Sequence, residues 1–200
     1  MKLNVFTGKN YDDVEKEALE SLNLTKEEVI ISKKEKKGLF KSEVELTVTP
    51  LVDIIEYSKK FISELFKTIN IDVQFESGIR EKQILLKMHS ADSPILIGYS
   101  GKNLQALQTV MRGVVKSKFG ATPYISLDVG NYKDRQIKNI ERMAKRIAKE
   151  VSKTNIPVEL DNMNSYERLI VHNVVAKFDK VTSESEGEEP NRRVWIKPKE

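Results

Sequence analysis

"PILIGYSGKNLQALQ", residues 94–108, decides how this chain is read. Gly98, Tyr99, Ser100 and Gly101 interrupt a pattern that is helical on both sides. Before them, "DSP" at 92–94 has the form of a helix start, with a polar cap and a proline in the first turn. After them, Leu104, Leu107, Val110, Met111, Val114 and Val115 recur at three- and four-residue steps, the apolar stripe of a second helix. Two glycines three apart let the backbone approach a partner with no Cβ in the way. The helix that follows aims its free amides and the positive end of its dipole at the turn. A phosphodiester backbone suits such a surface.

Working outward, residues 51–69 show Leu51, Ile54, Ile55, Phe61, Ile62, Leu65, Phe66 and Ile69 at helical spacing. "IDVQFE" and "REKQILLKMH" read as strands joined at "SGI", and "YISLDV" at 124–129 as a further strand. The order over 51–130 is α-β-β-α-turn-α-β. A Gly-x-x-Gly turn in that order resembles a KH domain of the bacterial type. The resemblance implies that Gly98, Tyr99, Ser100 and Gly101 clamp about four nucleotides. KH turns usually hold a basic residue between the glycines. Here the cation comes one place later, as Lys102, and Tyr99 has two readings, a platform for stacking on a base or a cap on the local apolar cluster.

Upstream, residues 2–6 alternate like a strand, and Asn10 caps a helix presenting Val14, Ala18 and Leu22. "TKEE" at 25–28 has capping-box spacing, so a helical turn is expected there. "VIIS" and "SEVELTV" read as strands, with the lysine run and Gly38 of "KKEKKGLF" as their turn. This is a β-α-β-β unit ending at Pro50.

Downstream of Asn131, a long helix shows Ile137, Ile140, Ala144, Ile147, Ala148 and Val151 on one face. Residues 133–153 hold eight Lys or Arg against three acids, although the net charge of the chain is only +4. Arg135, Lys138, Arg142, Lys145 and Lys149 form a stripe beside the apolar face. Basic charge concentrated on one element favours a polyanion partner. "IPVEL" is a strand, Asn164 to Phe178 a helix with Asn164 and Glu167 at capping spacing, and "KVTSESEGEEPNRRVWIKP" two strands around a turn. Within "ERLIVHNVV", Arg168 and His172 are four apart and share a helical face with Ser165. Arg offers a forked donor and His a second, a pair suited to a phosphate. Arg192 and Arg193 follow nearby. The carboxylates at 184–189 read as a solvated turn, and Trp195 as packing. This segment resembles the single-stranded nucleic-acid-binding domain named for its Arg-x-x-x-His spacing, here the Arg-three-His domain.

Other chemistry has little support. There is no Cys, which excludes disulfides and thiolate metal sites, and only two His. No Ser-His-Asp order, Walker-type loop or ligand cluster is present, so no catalysis, metal or cofactor is expected. "MKLNVFTGKNYDDVEKE" has no apolar h-region, and no run approaches the ~20 apolar residues of a membrane span. A cytoplasmic location is the expectation.

Across its whole length the sequence resembles the Jag (SpoIIIJ-associated) family of bacterial RNA-binding proteins. "KKGLF", "LIGYSGKNLQALQ", "ERLIVHNVV" and "EEPNRRVWI" carry the likeness. It implies a mixed α/β (α+β) chain of three small domains: an N-terminal unit over 1–50, a KH domain over 51–130 and an Arg-three-His domain over 131–200. It also implies binding of single-stranded RNA and a part in cell elongation and division. A small single-KH-domain partner and peripheral association with a membrane-protein insertase belong to the same expectation, with the chain a monomer or a homodimer. Two rivals stand beside it. One is a protein-interaction scaffold in which RNA is secondary, favoured by the missing cation in the turn. The other is a nuclease, disfavoured by the lack of metal ligands.

Overall fold

A computed structural model of the protein describes residues 4–37, 42–120 and 123–199. The chain forms two compact units, residues 1–130 and 131–200. The class is mixed α/β, as expected, with three three-stranded sheets among the described residues.

The first unit opens with β1 (Asn4–Gly8), α1 (Tyr11–Leu22), β2 (Val29–Lys37) and β3 (Ser42–Pro50), in the sheet order β1-β3-β2. The Asn10 side chain accepts from the Asp12 amide and starts α1. Val14 and Ala18 of α1 then pack on Leu46 and Val48 of β3 and Val29 of β2. At 25–28 the capping spacing makes only a turn: the Glu28 carboxylate accepts from the Thr25 amide and hydroxyl, and β2 begins at once. The lysine run is not a turn either. Lys33, Lys34, Lys36 and Lys37 lie in β2, paired with Leu46, Glu45, Glu43 and Ser42 of β3. β2 is an edge strand, where lysines oppose pairing with another chain. Gly38 lies outside the described residues.

The rest of the unit is α2 (Leu51–Lys67), β4 (Gln74–Arg80), β5 (Gln83–His89), α3 (Ser93–Ile97), α4 (Lys102–Phe119) and β6 (Ile125–Val129). The sheet runs β4-β5-β6, with β4 antiparallel and β6 parallel to β5. "SGI" lies inside β4. The reversal falls at Glu81 and Lys82, both in the left-handed region at φ 51 and 61. A two-residue turn of that kind matches strand twist, and without Gly or Asn it leaves no compositional signal. Ile84, Leu86 and Met88 of β5 and Ile125, Leu127 and Val129 of β6 face one buried layer. α2 buries Leu51, Ile54, Ile55, Ser58 and Ile62. Leu65 and Ile69 of the expected stripe are exposed instead, Ile69 because the helix has already ended. α4 buries Leu104, Leu107, Met111, Val115 and Phe119, while Val110 falls one residue off that stripe and is exposed. Gln108 ties α4 to β6: its side-chain amide donates to the Ile125 carbonyl, and its carbonyl oxygen accepts from the Leu127 amide at 2.8 Å. Each fully buried Leu or Ile here stabilises the unit by ~1.5–3 kcal/mol.

The second unit contains α5 (Tyr132–Thr154), β7 (Val158–Glu159), α6 (Ser165–Val175), β8 (Val181–Glu186) and β9 (Arg193–Pro198). Its antiparallel sheet has the order β7-β9-β8. Ile140, Ala144, Ala148 and Val151 of α5 and Ile170, Val171, Val174 and Val175 of α6 pack against Val181, Val194 and Ile196. α6 starts with the predicted capping box: the Glu167 amide donates to Asn164 Oδ1, and the Asn164 amide to Glu167 Oε2, both at 3.0 Å. Trp195 of β9 is half-buried. Among the described residues no helix is long and apolar enough to cross a membrane.

Candidate nucleic-acid interface

The first site is the glycine turn. Asp92 starts α3 without a side-chain cap bond; Ser90 serves the bend, its hydroxyl accepting from the Asp92 amide and its carbonyl from the Ser93 hydroxyl. Gly98 ends α3 at φ 71, ψ −179, a conformation essentially confined to glycine. Ser100 follows at φ 49 and Gly101 at φ 79. Three of the four turn residues thus have positive φ, and Tyr99, the fourth, projects outward with 84% of its surface exposed. Lys102 Nζ lies 5.8 Å from the Tyr99 ring centre, so the displaced cation sits on the tyrosine. Asn103 Nδ2 donates to the Ile95 carbonyl at 2.8 Å and laces α4 back onto α3 across the turn. The N-cap of α4 is Gly101, which has no side chain to occupy the first amides of the helix.

The second site lies between α6 and the β8–β9 hairpin. Arg168 and His172 share one face of α6, as their spacing predicts, and Ser165 stands exposed at the start of the helix. The Arg168 side chain is only 8% exposed. Its Nη1 donates to the Met163 carbonyl at 2.8 Å and its Nη2 to Glu189 Oε1 at 2.7 Å. His172 is half-buried, with Nδ1 2.7 Å from Ser183 Oγ and Nε2 2.8 Å from Ser185 Oγ. Arg193 is exposed and pairs with Glu159 at 3.0 Å. Arg192 is exposed and makes no ion pair among the described residues. Three of the four carboxylates read as a solvated turn are therefore engaged: Glu189 holds Arg168, and Glu184 and Glu186 hold Lys197, while Glu188 is exposed. Ser183 and Ser185 were legible in principle, because β8 alternates Ser-Glu-Ser-Glu and period two puts both hydroxyls on one face.

Burial first, and then the charges of Arg168 and Arg192, hold the His172 pKa below the usual histidine range. The neutral ring is favoured in the fold, so the unfolded chain takes up the proton first as the pH falls. The stability His172 contributes is present above its ordinary pKa and is lost as the pH drops through the lowered one. Urea unfolding followed by the fluorescence of the single tryptophan, Trp195, should show the second unit weakening below about pH 6.5. His172→Gln should flatten that dependence; an unchanged pH profile would count against the assignment.

The third feature is α5. Arg135, Lys138, Arg142, Lys145 and Lys149 are all exposed and, at ~100° per residue, fall in a sector of about 80°. The stripe is on the side away from buried Ile140, Ala144, Ala148 and Val151 rather than flanking them. Arg146 and Lys153 extend it. Arg142 bonds to the Lys138 carbonyl and Asn139, and none of these seven cations makes an ion pair among the described residues. Tyr166 of α6, 59% exposed, is a further aromatic on this unit that no spacing in the sequence singles out. Among the described residues no cluster of His, Asp or Glu could hold a metal ion.

Comparison with known proteins gives the frame. The family model described as the KhpA/KhpB KH domain matches residues 53–126, and that for the Arg-three-His domain matches 138–198. The RNA-binding protein KhpB of Clostridium symbiosum is 31% identical over 188 residues, covering 93% of this chain and 78% of that protein. The RNA-binding protein KhpB of Bacillus subtilis (strain 168) is 26% identical over 202 residues, covering 96% of each. The protein of the same name from Streptococcus pneumoniae serotype 2 is 26% identical over 136 residues, 68% of this chain but 42% of its own length. With KH and Arg-three-His modules in this order and near-complete coverage at such identity, the chain belongs to the KhpB family of RNA-binding proteins, the Jag-type family that its motifs resemble.

Proposed function

We propose that this protein binds single-stranded RNA through two modules, and that it is a binding protein rather than an enzyme. The observation that carries the reading is the glycine turn: a left-handed backbone, an uncapped helix start and an exposed tyrosine, all in one KH-type frame. Gly98, Tyr99, Ser100, Gly101 and Lys102 take one stretch of the strand. Arg168, His172, Arg192 and Arg193 form the second site, and the α5 stripe adds sequence-independent attraction for phosphates. The organisation that goes with this is three domains, 1–50, 51–130 and 131–200. The reading extends, by likeness to the family, to a cytoplasmic role in post-transcriptional control of cell elongation and division, with a small single-KH-domain protein as partner and peripheral contact with a membrane-protein insertase.

The test is fluorescence anisotropy with a labelled single-stranded RNA of mixed sequence at several salt concentrations. Wild-type affinity should fall with salt. Tyr99→Asp/Ser100→Asp and Arg168→Ala/His172→Ala should each weaken binding by roughly tenfold to a hundredfold, because losing one of two linked sites removes the gain in effective concentration. The scaffold reading draws on the neutral Tyr99 and Ser100 between the glycines. It takes over if only the second variant, or neither, loses affinity while both remain folded by circular dichroism.

A further inference from the structure

We infer that Arg168 is a positioning residue that holds the β8–β9 turn, and that Arg192 on that turn is the cation that meets phosphate. The inference rests on the RNA-binding reading above and assigns the labour within its second site.

The geometry separates the two arginines. Arg168 is buried, and the fork of its guanidinium is occupied at both ends, by the Met163 carbonyl and by Glu189. Turning it toward a phosphate would break a 2.7 Å ion pair and leave the Met163 carbonyl without its donor, a cost for a guanidinium that itself has little access to water. The exposed member of that pair is the carboxylate, with 60% of the Glu189 side chain accessible, so the charge of Arg168 is already neutralised where solvent and ligand meet it. Arg192 has the opposite character: it is exposed and without an ion pair among the described residues. Its backbone is tied into the same clamp. The Arg192 carbonyl accepts from the Met163 amide at 3.4 Å, and the carbonyl of the same Met163 accepts from Arg168. Arg168 therefore grips the loop before α6 through Met163 and the hairpin turn through Glu189, and Arg192 is tied by its own backbone to the first of these anchors and follows the second by three residues. Beyond the effect of burial, Arg192 adds its charge to that of Arg168 in lowering the His172 pKa.

The experiment compares Glu189→Ala with Glu189→Gln in the full chain, using anisotropy with a short labelled single-stranded RNA. Both variants remove the same negative charge, and only glutamine keeps an acceptor for Arg168. Glu189 is exposed, and circular dichroism checks the fold of each variant. Positioning predicts that Glu189→Ala binds about fourfold more weakly than Glu189→Gln at ~0.15 M salt, the effect of one lost phosphate contact, with the salt slope lower by ~0.7. Arg192→Ala should show the same loss, and in its background the difference between the two Glu189 variants should vanish. If the alanine and glutamine variants bind equally, or the difference persists without Arg192, the inference is wrong while the RNA reading stands. A wild type with no salt-dependent binding removes the RNA reading itself, and this inference with it.

Discussion

Gly98→Ala is expected to destabilise the first unit by about 2–4 kcal/mol and to remove the KH contribution to RNA affinity. Two costs add. The backbone at φ 71, ψ −179 is a region that a Cβ makes unfavourable by ~1–3 kcal/mol. A Cβ built there would also stand 2.5 Å from Cγ of Asn103. That side chain is not free to swing away, because its Nδ2 holds the Ile95 carbonyl across the turn, a bond whose loss costs ~1 kcal/mol. Gly113→Ala in the same protein is the internal comparison. Gly113 lies inside α4, and a Cβ there meets nothing within 4 Å, so alanine should stabilise by ~0.5–1 kcal/mol through helix propensity alone. Urea unfolding by circular dichroism reads both. Opposite shifts of the midpoint are the expected outcome; a Gly98→Ala midpoint at or above wild type would show that the turn relaxes without cost.

The contrast between these glycines also shows what a sequence discloses. Gly98 and Gly101 announced a turn because they stand between two helical patterns, and the periods of 3.6 and 2 carried most of the element order. The reversal between β4 and β5 left no such mark, since Glu81 and Lys82 adopt the left-handed conformation without glycine or asparagine. Proximity in sequence misled at β2, where the lysine run looked like a loop and is an edge strand. The second site was half legible. Spacing put Arg168 and His172 on one face, but their partners come from β8 and the hairpin turn, through contacts 11 to 21 residues away in sequence. Charge composition cannot distinguish a glutamate that is solvated from one that neutralises a buried arginine. Glu189 therefore became visible only when the fold brought it to Arg168.

Electrostatics on α5 give the other large effect. Lys138→Ala/Arg142→Ala/Lys145→Ala should lower RNA affinity by about fiftyfold at ~0.15 M salt and reduce the slope of log affinity against log salt by ~2, three contacts at ~0.7 each. The physical argument is that these side chains are exposed and unpaired with any carboxylate among the described residues, so each carries its full charge to an approaching phosphate. Lys197 of β9 illustrates the alternative: it is held by Glu184 at 2.7 Å and Glu186 at 2.8 Å, and those bonds raise its pKa without leaving it available. Lys197→Ala should accordingly change the salt slope little, although it too removes one positive charge. Alanine is a strong helix former, and the three α5 positions are on the face away from the core, so the fold should survive the triple change. If the slope stays at its wild-type value, the stripe is solvated surface, and the contacts must come from the glycine turn and the β8–β9 hairpin alone. If it falls by ~2 while Lys197→Ala leaves it unchanged, unpaired charge rather than total charge determines where this protein holds a polyanion.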